Sequence, residues 1–294
     1  MTGSLAAGPF TAGLVQLTAG NDVGQSLDLI EPLVRQAREA GADFVALPEN
    51  CTQIEPDKAK VLAEAQPEER HPAVPRLGGL AAELGIWLLA GSLTVKADPR
   101  HVWNRSLLFG PDGAVAARYD KIHLFDVEVG DGQTYRESAQ VAPGRTAVLA
   151  ELPWGRLGLS VCYDLRFPHL YRLLAQAGAA VLTIPAAFTR VTGAAHWHVL
   201  LRARAIETGC YVLAPAQCGT HVGGRQTYGH SLIVDPWGGI LAEAGEAPGV
   251  VTARIDPAAV VEARRRIPAL THDRPIALPA LEGAAGEERL RQPS

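Results

Sequence analysis

A cysteine at the end of a short apolar stretch is the residue in this chain best suited to nucleophilic chemistry. Apolar and small residues alternate over 157–161, which predicts a short buried strand that ends at Cys162. In open α/β sheets, ligands bind in the crevice formed by the loops that leave the strand ends, so a thiol here is a candidate nucleophile. Asp164 and Arg166 follow it in the same loop. Because free cysteine is among the most buried residue types, a role as a small core residue is the alternative for Cys162.

Three charged side chains occupy comparable positions elsewhere in the chain. Glu49 follows a predicted strand over 44–47, Lys121 follows a predicted hairpin strand, and Glu137 comes soon after it. If the loops that carry them converge on the loop of Cys162, the four side chains form the active site of a thiol hydrolase.

The chemistry of a thiol hydrolase has a use for each of these residue types. A thiol with an ordinary pKa of about 8.5 needs a base to become a nucleophile, and Glu49 is the candidate base. Attack on a carbonyl creates an oxyanion, and Lys121 and the backbone N–H of Tyr163 are the candidate groups to stabilise it. Taken singly, each residue also has a structural interpretation. Glu49 suits a helix cap or an arginine pair, and Lys121 suits a surface charge.

Composition excludes several other classes of function. The 294 residues include 27 Lys and Arg against 31 Asp and Glu, a net charge of −4, and the one basic cluster is 264–266. This pattern argues against a nucleic-acid-binding surface. The longest apolar stretch, 84–95, is interrupted by glycines and is too short to span a bilayer, so we expect no membrane anchor.

The four cysteines, at 51, 162, 210 and 218, lack the paired spacing of a zinc site or a disulfide framework. The first residues contain no positively charged segment, so we expect no signal peptide. A reducing cytoplasm is the expected location, because it keeps Cys162 as a free thiol.

Hydrophobic periodicity and turn residues predict alternating strands and helices. Helices are predicted over 22–40, 57–64, 74–84, 170–176, 196–208 and 257–267, and strands over 10–17, 44–47, 86–90, 157–161, 180–184 and 211–214. Hairpins are predicted over 106–118 and 231–242. The sequence segment 41–48 is similar to the segment 178–185. We therefore predict two related halves that pack as two sheets covered by helices.

Three ordered motifs carry a resemblance to a known family. They are Leu47-Pro48-Glu49-Asn50, Tyr119-Asp120-Lys121-Ile122-His123-Leu124 and Val161-Cys162-Tyr163-Asp164-Leu165-Arg166-Phe167-Pro168. They resemble the three motif blocks of the nitrilase, or carbon-nitrogen hydrolase, superfamily. The resemblance implies that Glu49, Lys121 and Cys162 are catalytic, and that Glu137 is the second glutamate that often joins them.

Further blocks resemble one branch of this superfamily. The segments 187–197, 201–208, 216–219 and 228–231 are most similar to amidases that hydrolyse deaminated glutathione. The omega-amidases, which act on 2-oxoglutaramate, share the His196-Trp197 and 235–238 blocks but usually lack the Ala-Gln-Cys-Gly motif at 216–219. An omega-amidase activity is therefore the alternative.

The resemblance implies an α/β fold in the form of a four-layer α-β-β-α sandwich, with two mixed sheets covered by helices, over 8–276. It implies a homodimer or higher homo-oligomer, no metal and no organic cofactor. We expect the tail, 277–294, to be mobile or docked on a partner subunit. The expected substrate is a small amide with a carboxylate, contacted by Tyr163, Arg166 and Thr192. A guanidinium suits bidentate carboxylate binding, although Arg166 is equally suited to an internal ion pair with Asp164 or another acid.

Three other functions remain open at this point. His196 and His198 suggest a zinc hydrolase, although residues two apart on a helix point to different sides. His123 or His230 offers a Cys–His dyad with Cys162. A binding protein without catalytic activity is the remaining alternative.

Overall fold

The computed structural model describes residues 8–130 and 132–276. Within these residues, the α-helices span Val23–Glu39 (α1), Lys58–Glu64 (α2), Ala73–Leu84 (α3), Pro168–Gln176 (α4), Arg190–Thr208 (α5) and Pro257–Arg266 (α6). The strands span Phe10–Gln16 (β1), Phe44–Ala46 (β2), Trp87–Lys96 (β3), Val102–Phe109 (β4), Val115–Asp120 (β5), Asp126–Glu128 (β6), Thr134–Arg136 (β7), Val148–Leu152 (β8), Gly155–Leu159 (β9), Ala179–Thr183 (β10), Tyr211–Ala214 (β11), Cys218–Thr220 (β12), Gln226–Tyr228 (β13), Leu232–Val234 (β14), Ile240–Glu243 (β15) and Gly249–Ile255 (β16). The predicted tail, 277–294, lies outside the described residues, and the domain boundary at 276 stays a prediction.

Twelve of these strands form two six-stranded sheets with the same internal order. One sheet runs β16-β1-β2-β3-β4-β5 and the other runs β15-β14-β11-β10-β9-β8. Each has three parallel strands, an antiparallel hairpin on one side of them and a single antiparallel strand on the other. The predicted repeat of two halves is therefore present in the strand order.

The two sheets pack face to face, and helices cover their outer faces. In β2, Phe44 and Ala46 belong to the core between the sheets, whereas Val45 between them belongs to the cluster formed with α1 and α3. This alternation follows from the two-residue period of a strand. Residues of α4 and α5 pack on the second sheet in the same way. The predicted four-layer α-β-β-α sandwich is confirmed.

Helix α5 begins six residues before its predicted start at His196. The residues of its first turn include Thr192 and Gly193, which both have low helix propensity. Tertiary packing overrides that propensity here. A Cβ on Gly193 would lie 2.3 Å from the ring of Tyr228, so only glycine lets the helix approach strand β13 this closely. Thr189 and Thr192 also share a hydrogen bond of 2.7 Å between their hydroxyls.

Among the strands of the two six-stranded sheets, β8 and β16 are absent from the sequence prediction. Both are edge strands in which only one residue is buried, so neither shows the continuous apolar run that predicts a buried strand. In the part of the chain that the structure describes, no helix combines the length and apolar character needed to cross a membrane.

At Gly91 the backbone of strand β3 lies very close to the segments that follow β2 and β10. This close packing leads to a prediction about stability. A Cβ there would lie 1.8 Å from the carbonyl oxygen of Leu47 and 2.5 Å from Cβ of Pro185. We expect Gly91→Ala to lower the free energy of unfolding by about 1–3 kcal/mol, measured by denaturant titration. The control is Gly79→Ala on the exposed face of α3, where a Cβ meets nothing within 4 Å. That change should raise stability by about 0.5–1 kcal/mol. Equal stability of Gly91→Ala and the parent chain would contradict this packing.

Candidate active site

Cys162 lies at a sharp turn just beyond strand β9. It begins a short 3-10 turn, Cys162–Arg166, and its backbone has a φ of 46°. A non-glycine residue in this left-handed region costs on the order of 1–3 kcal/mol, so the surrounding structure must hold it there. The N–H of Cys162 donates to the carbonyl oxygen of Pro185 at 2.8 Å, and the N–H of Val161 donates to the carboxylate of Asp164 at 2.8 Å.

Asp164 connects the cysteine turn to the segment that carries Lys121. Its carboxylate is fully buried and accepts hydrogen bonds from the hydroxyl of Tyr119 at 2.7 Å and from the backbone N–H of His123 at 3.0 Å. It also lies 2.7 Å from Nδ1 of His123. Asp164 therefore pairs with this segment, and among the described residues its ion-pair partner is His123 and not Arg166.

Glu49 lies at the end of the loop after β2, at 3% exposure. Its Oε1 accepts from Nζ of Lys121 at 2.8 Å and from Nδ2 of Asn104 at 3.0 Å. Its Oε2 accepts from the backbone N–H of Ala187 at 2.9 Å. The side chain of Gln217 donates to the backbone carbonyl of Glu49 at 3.0 Å. Both the carboxylate and the backbone of Glu49 are therefore fixed.

Lys121 lies between two carboxylates, at 2% exposure. Its Nζ is 2.8 Å from Oε1 of Glu49 and 2.9 Å from Oε2 of Glu137. Glu137 is held in turn by the backbone N–H of Phe125 at 2.6 Å and by Asn104 at 3.1 Å. Two carboxylates and one ammonium thus form one buried network next to the thiol.

Burial and charge fix the protonation states of this network. Burial by itself raises the pKa of Glu49, but the charge and hydrogen bond of Lys121 outweigh it, so the pKa lies below its ordinary value. Burial lowers the pKa of Lys121, but the carboxylates of Glu137 and Glu49 outweigh it and raise the pKa. Burial raises the pKa of the Cys162 thiol well above its ordinary value, and the charge of Glu49 adds to that effect. The resting site therefore holds a thiol, an ammonium and a carboxylate base.

These side chains line one cavity of about 300 Å³. Glu49, Lys121, Glu137 and Cys162 all contribute to its wall, so the structure brings the four predicted catalytic residues together. The side chains of Tyr163 and Thr192 line the same cavity.

Arg166 is not among the residues that line this cavity. Its guanidinium lies over the ring of Phe188 at 5.2 Å, and its Nη1 is 3.2 Å from Nδ1 of His196. Since Phe188 and Tyr163 are cavity residues, Arg166 lies behind them. Its predicted contact with substrate stays a prediction.

Arg225 is a cavity residue that sequence reasoning missed. Its Nη2 donates to the carbonyl oxygen of Ala187 at 2.7 Å, and its guanidinium lies 5.7 Å from the ring centre of Tyr135. Its Nε is buried and has no hydrogen-bond partner among the described residues. Arg225 follows two glycines in a turn outside any periodic element, so no sequence pattern distinguishes it from a surface arginine.

Asn104 is the second residue that was missed. It donates to both Glu49 and Glu137 from the third residue of strand β4. An asparagine inside a largely buried strand is unusual, and this was the available signal.

The positions of the histidines argue against the Cys–His dyad and the zinc hydrolase. None of the described residues that line the cavity is a histidine. His123 faces Asp164, and His230 lies 2.8 Å from the carboxylate of Glu243. His198 contacts Glu243 and His196 contacts Arg166, so the two histidines of the imagined zinc hydrolase point to different groups.

Comparison with known proteins places this geometry in context. The "Deaminated glutathione amidase" of Synechocystis sp. (strain PCC 6803 / GT-S) is 44% identical over 271 residues, which are 90% of this chain and 98% of that protein. The crystal structure of the C. elegans NitFhit protein has a TM-score of 0.85 at 38% identity. The match covers 92% of this chain and 66% of that one.

A third solved structure bears on the chemistry of the site. It is a glutamate-to-glutamine mutant of the amidase from Nesterenkonia sp. AN1, with the acetamide moiety of fluoroacetamide covalently attached at the active-site cysteine. It is 29% identical with a TM-score of 0.75, and the match covers 90% of this chain and 97% of that one. The family model described as "Carbon-nitrogen hydrolase" matches residues 11–265. This chain therefore belongs to the carbon-nitrogen hydrolase family.

Proposed function

We propose that this chain is a cysteine-dependent amidase that hydrolyses deaminated glutathione to 2-oxoglutarate and cysteinylglycine. The observation that carries the proposal is the buried thiol of Cys162 beside the carboxylate of Glu49 and the ammonium of Lys121, in the wall of one cavity. The name of the Synechocystis relative, at 44% identity, supports this substrate.

In the first step, Glu49 removes the thiol proton as Sγ of Cys162 attacks the amide carbonyl carbon. Both residues line the same cavity, and the charge of Glu49 acts on the Cys162 thiol, which supports direct proton transfer between them. Nζ of Lys121 contacts Oε1 of Glu49 at 2.8 Å and both carboxylate oxygens of Glu137 at 2.9 and 3.1 Å. When the two Glu137 oxygens share one N–H, the third N–H of the ammonium donates to the oxyanion. The backbone N–H of Tyr163 is the second oxyanion donor. A single donor of this kind contributes about 10²–10³ to kcat.

In the second step, the protonated Glu49 returns the proton to the amide nitrogen. The C–N bond breaks, cysteinylglycine leaves as the free amine, and a thioester to Cys162 remains. Glu49, again a carboxylate, then takes a proton from water, and the resulting hydroxide attacks the thioester carbon. The C–S bond breaks, the proton held by Glu49 passes to the sulfur, and 2-oxoglutarate is released.

Glu137 has a positioning and charge-balancing role in this proposal. It lies 2.9 Å from Nζ of Lys121 and shares the amide of Asn104 with Glu49. The ammonium is therefore kept in place when Glu49 becomes neutral during the reaction.

Recognition of the substrate carboxylate is assigned to Arg225. A single residue joins it to the base, because the N–H of Ala187 donates to Glu49 and the carbonyl oxygen of Ala187 accepts from Arg225. Arg225 lies in the cavity wall, and Nη2 is its only guanidinium nitrogen with a hydrogen bond among the described residues. A planar guanidinium with free donors suits a carboxylate. The hydroxyl of Thr192 offers a further contact.

We further propose a homodimer in a reducing, cytoplasmic setting. Exposed apolar side chains lie on α5 and on the β14–β15 hairpin, with Val199 at 68%, Trp237 at 51% and Leu241 at 44% exposure, and such a surface suits a second copy of the chain. The four cysteines are free thiols, which suits a reducing compartment.

A side-by-side release assay tests the substrate. We expect purified protein to hydrolyse deaminated glutathione with a kcat/KM at least about tenfold above that for 2-oxoglutaramate. That difference corresponds to about 1.4 kcal/mol of additional binding to the larger leaving group in the transition state. Cys162→Ala should lose turnover while its circular dichroism spectrum is unchanged.

Each outcome of this assay has a definite meaning. Preference for 2-oxoglutaramate would establish the omega-amidase alternative. Absence of turnover on every amide would favour the binding protein. Activity that survives in Cys162→Ala would refute the thioester mechanism.

Matched arginine variants test carboxylate recognition. We expect Arg225→Gln to raise KM for a carboxylated amide by about 10- to 100-fold, because the substrate carboxylate is left buried without its partner. The same change should alter KM for an uncharged amide by less than about threefold. Arg166→Gln is the control. A larger KM effect in Arg166→Gln than in Arg225→Gln would return the role to Arg166.

A further inference from the structure

Two histidines and a glutamate meet on the surface away from the catalytic cavity. His198 comes from α5, His230 from the turn before β14, and Glu243 from the end of β15. Nε2 of His198 lies 2.9 Å from Oε1 of Glu243, and Nδ1 of His230 lies 2.8 Å from the same oxygen. One atom from each of the three side chains lies within 4.8 Å of the others. We refer to these three residues as the His–Glu cluster.

The surrounding structure fixes His230 before any ligand binds. The indole N–H of Trp197 donates to the carbonyl oxygen of His230 at 2.8 Å, and the N–H of His230 donates to the carbonyl oxygen of Gly245 at 3.1 Å. The ring of His230 stacks on Tyr228 with a centroid distance of 4.4 Å, and the ring of His198 meets Tyr228 edge-on at 6.0 Å. The two imidazoles are thus oriented by packing on a shared aromatic ring.

We propose that the His–Glu cluster binds a divalent first-row transition metal such as Zn²⁺. Two imidazole nitrogens and one carboxylate oxygen form a common ligand set for these ions. Metal–ligand distances of about 2.0–2.2 Å place tetrahedral ligand atoms roughly 3.3 Å apart. The present separations of 2.8 and 2.9 Å therefore need to widen by only a few tenths of an ångström.

Accessibility and charge also suit a metal ion. The side chains of His198, His230 and Glu243 are 30%, 21% and 35% exposed, so an ion reaches them from solvent and keeps a position for water. The nearby acid Glu246 lies 3.5 Å from Arg190, which leaves Glu243 as the carboxylate that faces both imidazoles. Coordination requires each imidazole to present an unprotonated nitrogen to the ion.

The bound metal would act as a clamp and not as a catalyst. It joins α5 to the β14–β15 hairpin, and none of its three ligands lines the catalytic cavity. Its test therefore uses metal binding and thermal stability as readouts and does not depend on the proposed amidase activity.

Calorimetric titration with ZnCl₂ tests the site in a full-length Cys162→Ala background, which removes the catalytic thiol as a competing ligand. We expect one equivalent to bind and to raise Tm. His198→Ala and His230→Ala should each weaken binding by more than about 100-fold, since loss of an outer-shell partner already costs about 10- to 100-fold. Glu243→Gln keeps the shape of the side chain and removes its charge, and it should also weaken binding.

His196→Ala is the matched control, because His196 lies on the same helix two residues before His198 and contacts Arg166 instead. It should bind Zn²⁺ with unchanged affinity. Titration with Co²⁺ gives a second readout, since visible d–d absorption reports the ligand geometry and should disappear in His230→Ala. Equal Zn²⁺ affinity in His196→Ala and His198→Ala, or no stoichiometric binding by the Cys162→Ala protein, would overturn the proposal.

Discussion

The site depends on the burial of one ammonium between two carboxylates. Lys121 and Glu49 are almost completely removed from solvent, and charges in that position are tolerated only when paired and hydrogen-bonded. Removing one partner of such a network costs about 3–5 kcal/mol, because the other charge is left buried and uncompensated. The same pairing keeps Glu49 ionised beside a neutral thiol. Stability and catalytic readiness therefore come from the same contacts.

The two halves of the fold each contribute one side of this network. The two similar sequence segments, 41–48 and 178–185, both end beside the active site. The first delivers Glu49, and the second is followed by Ala187, whose N–H holds that carboxylate at 2.9 Å. Asp164 then fastens the cysteine turn of the second half to the Lys121 segment of the first. The repeated architecture thus explains why distant segments meet with fixed geometry.

The sequence predicted the parts that depend on local pattern. Strand ends followed by Glu49, Lys121 and Cys162 were recognisable from periodicity and motif, and so was the layered fold. Arg225 was not, because its role comes from contacts with Ala187 and Tyr135, which lie 38 and 90 positions away in the chain. The start of α5 was missed because packing against β13 overrides low helix propensity.

Direct titration of the Cys162 thiol tests the central claim that the resting site pairs a neutral thiol with an ionised base. The ultraviolet absorbance of thiolate, taken as the difference between the parent chain and Cys162→Ala, would be followed from pH 5 to pH 9. Because the pKa of Cys162 is raised well above 9, the thiol stays protonated in this range and no difference should develop. A thiolate signal from Cys162 at pH 7 would contradict the account, since it would mean that Lys121 holds a preformed thiolate and Glu49 is not needed to remove the proton.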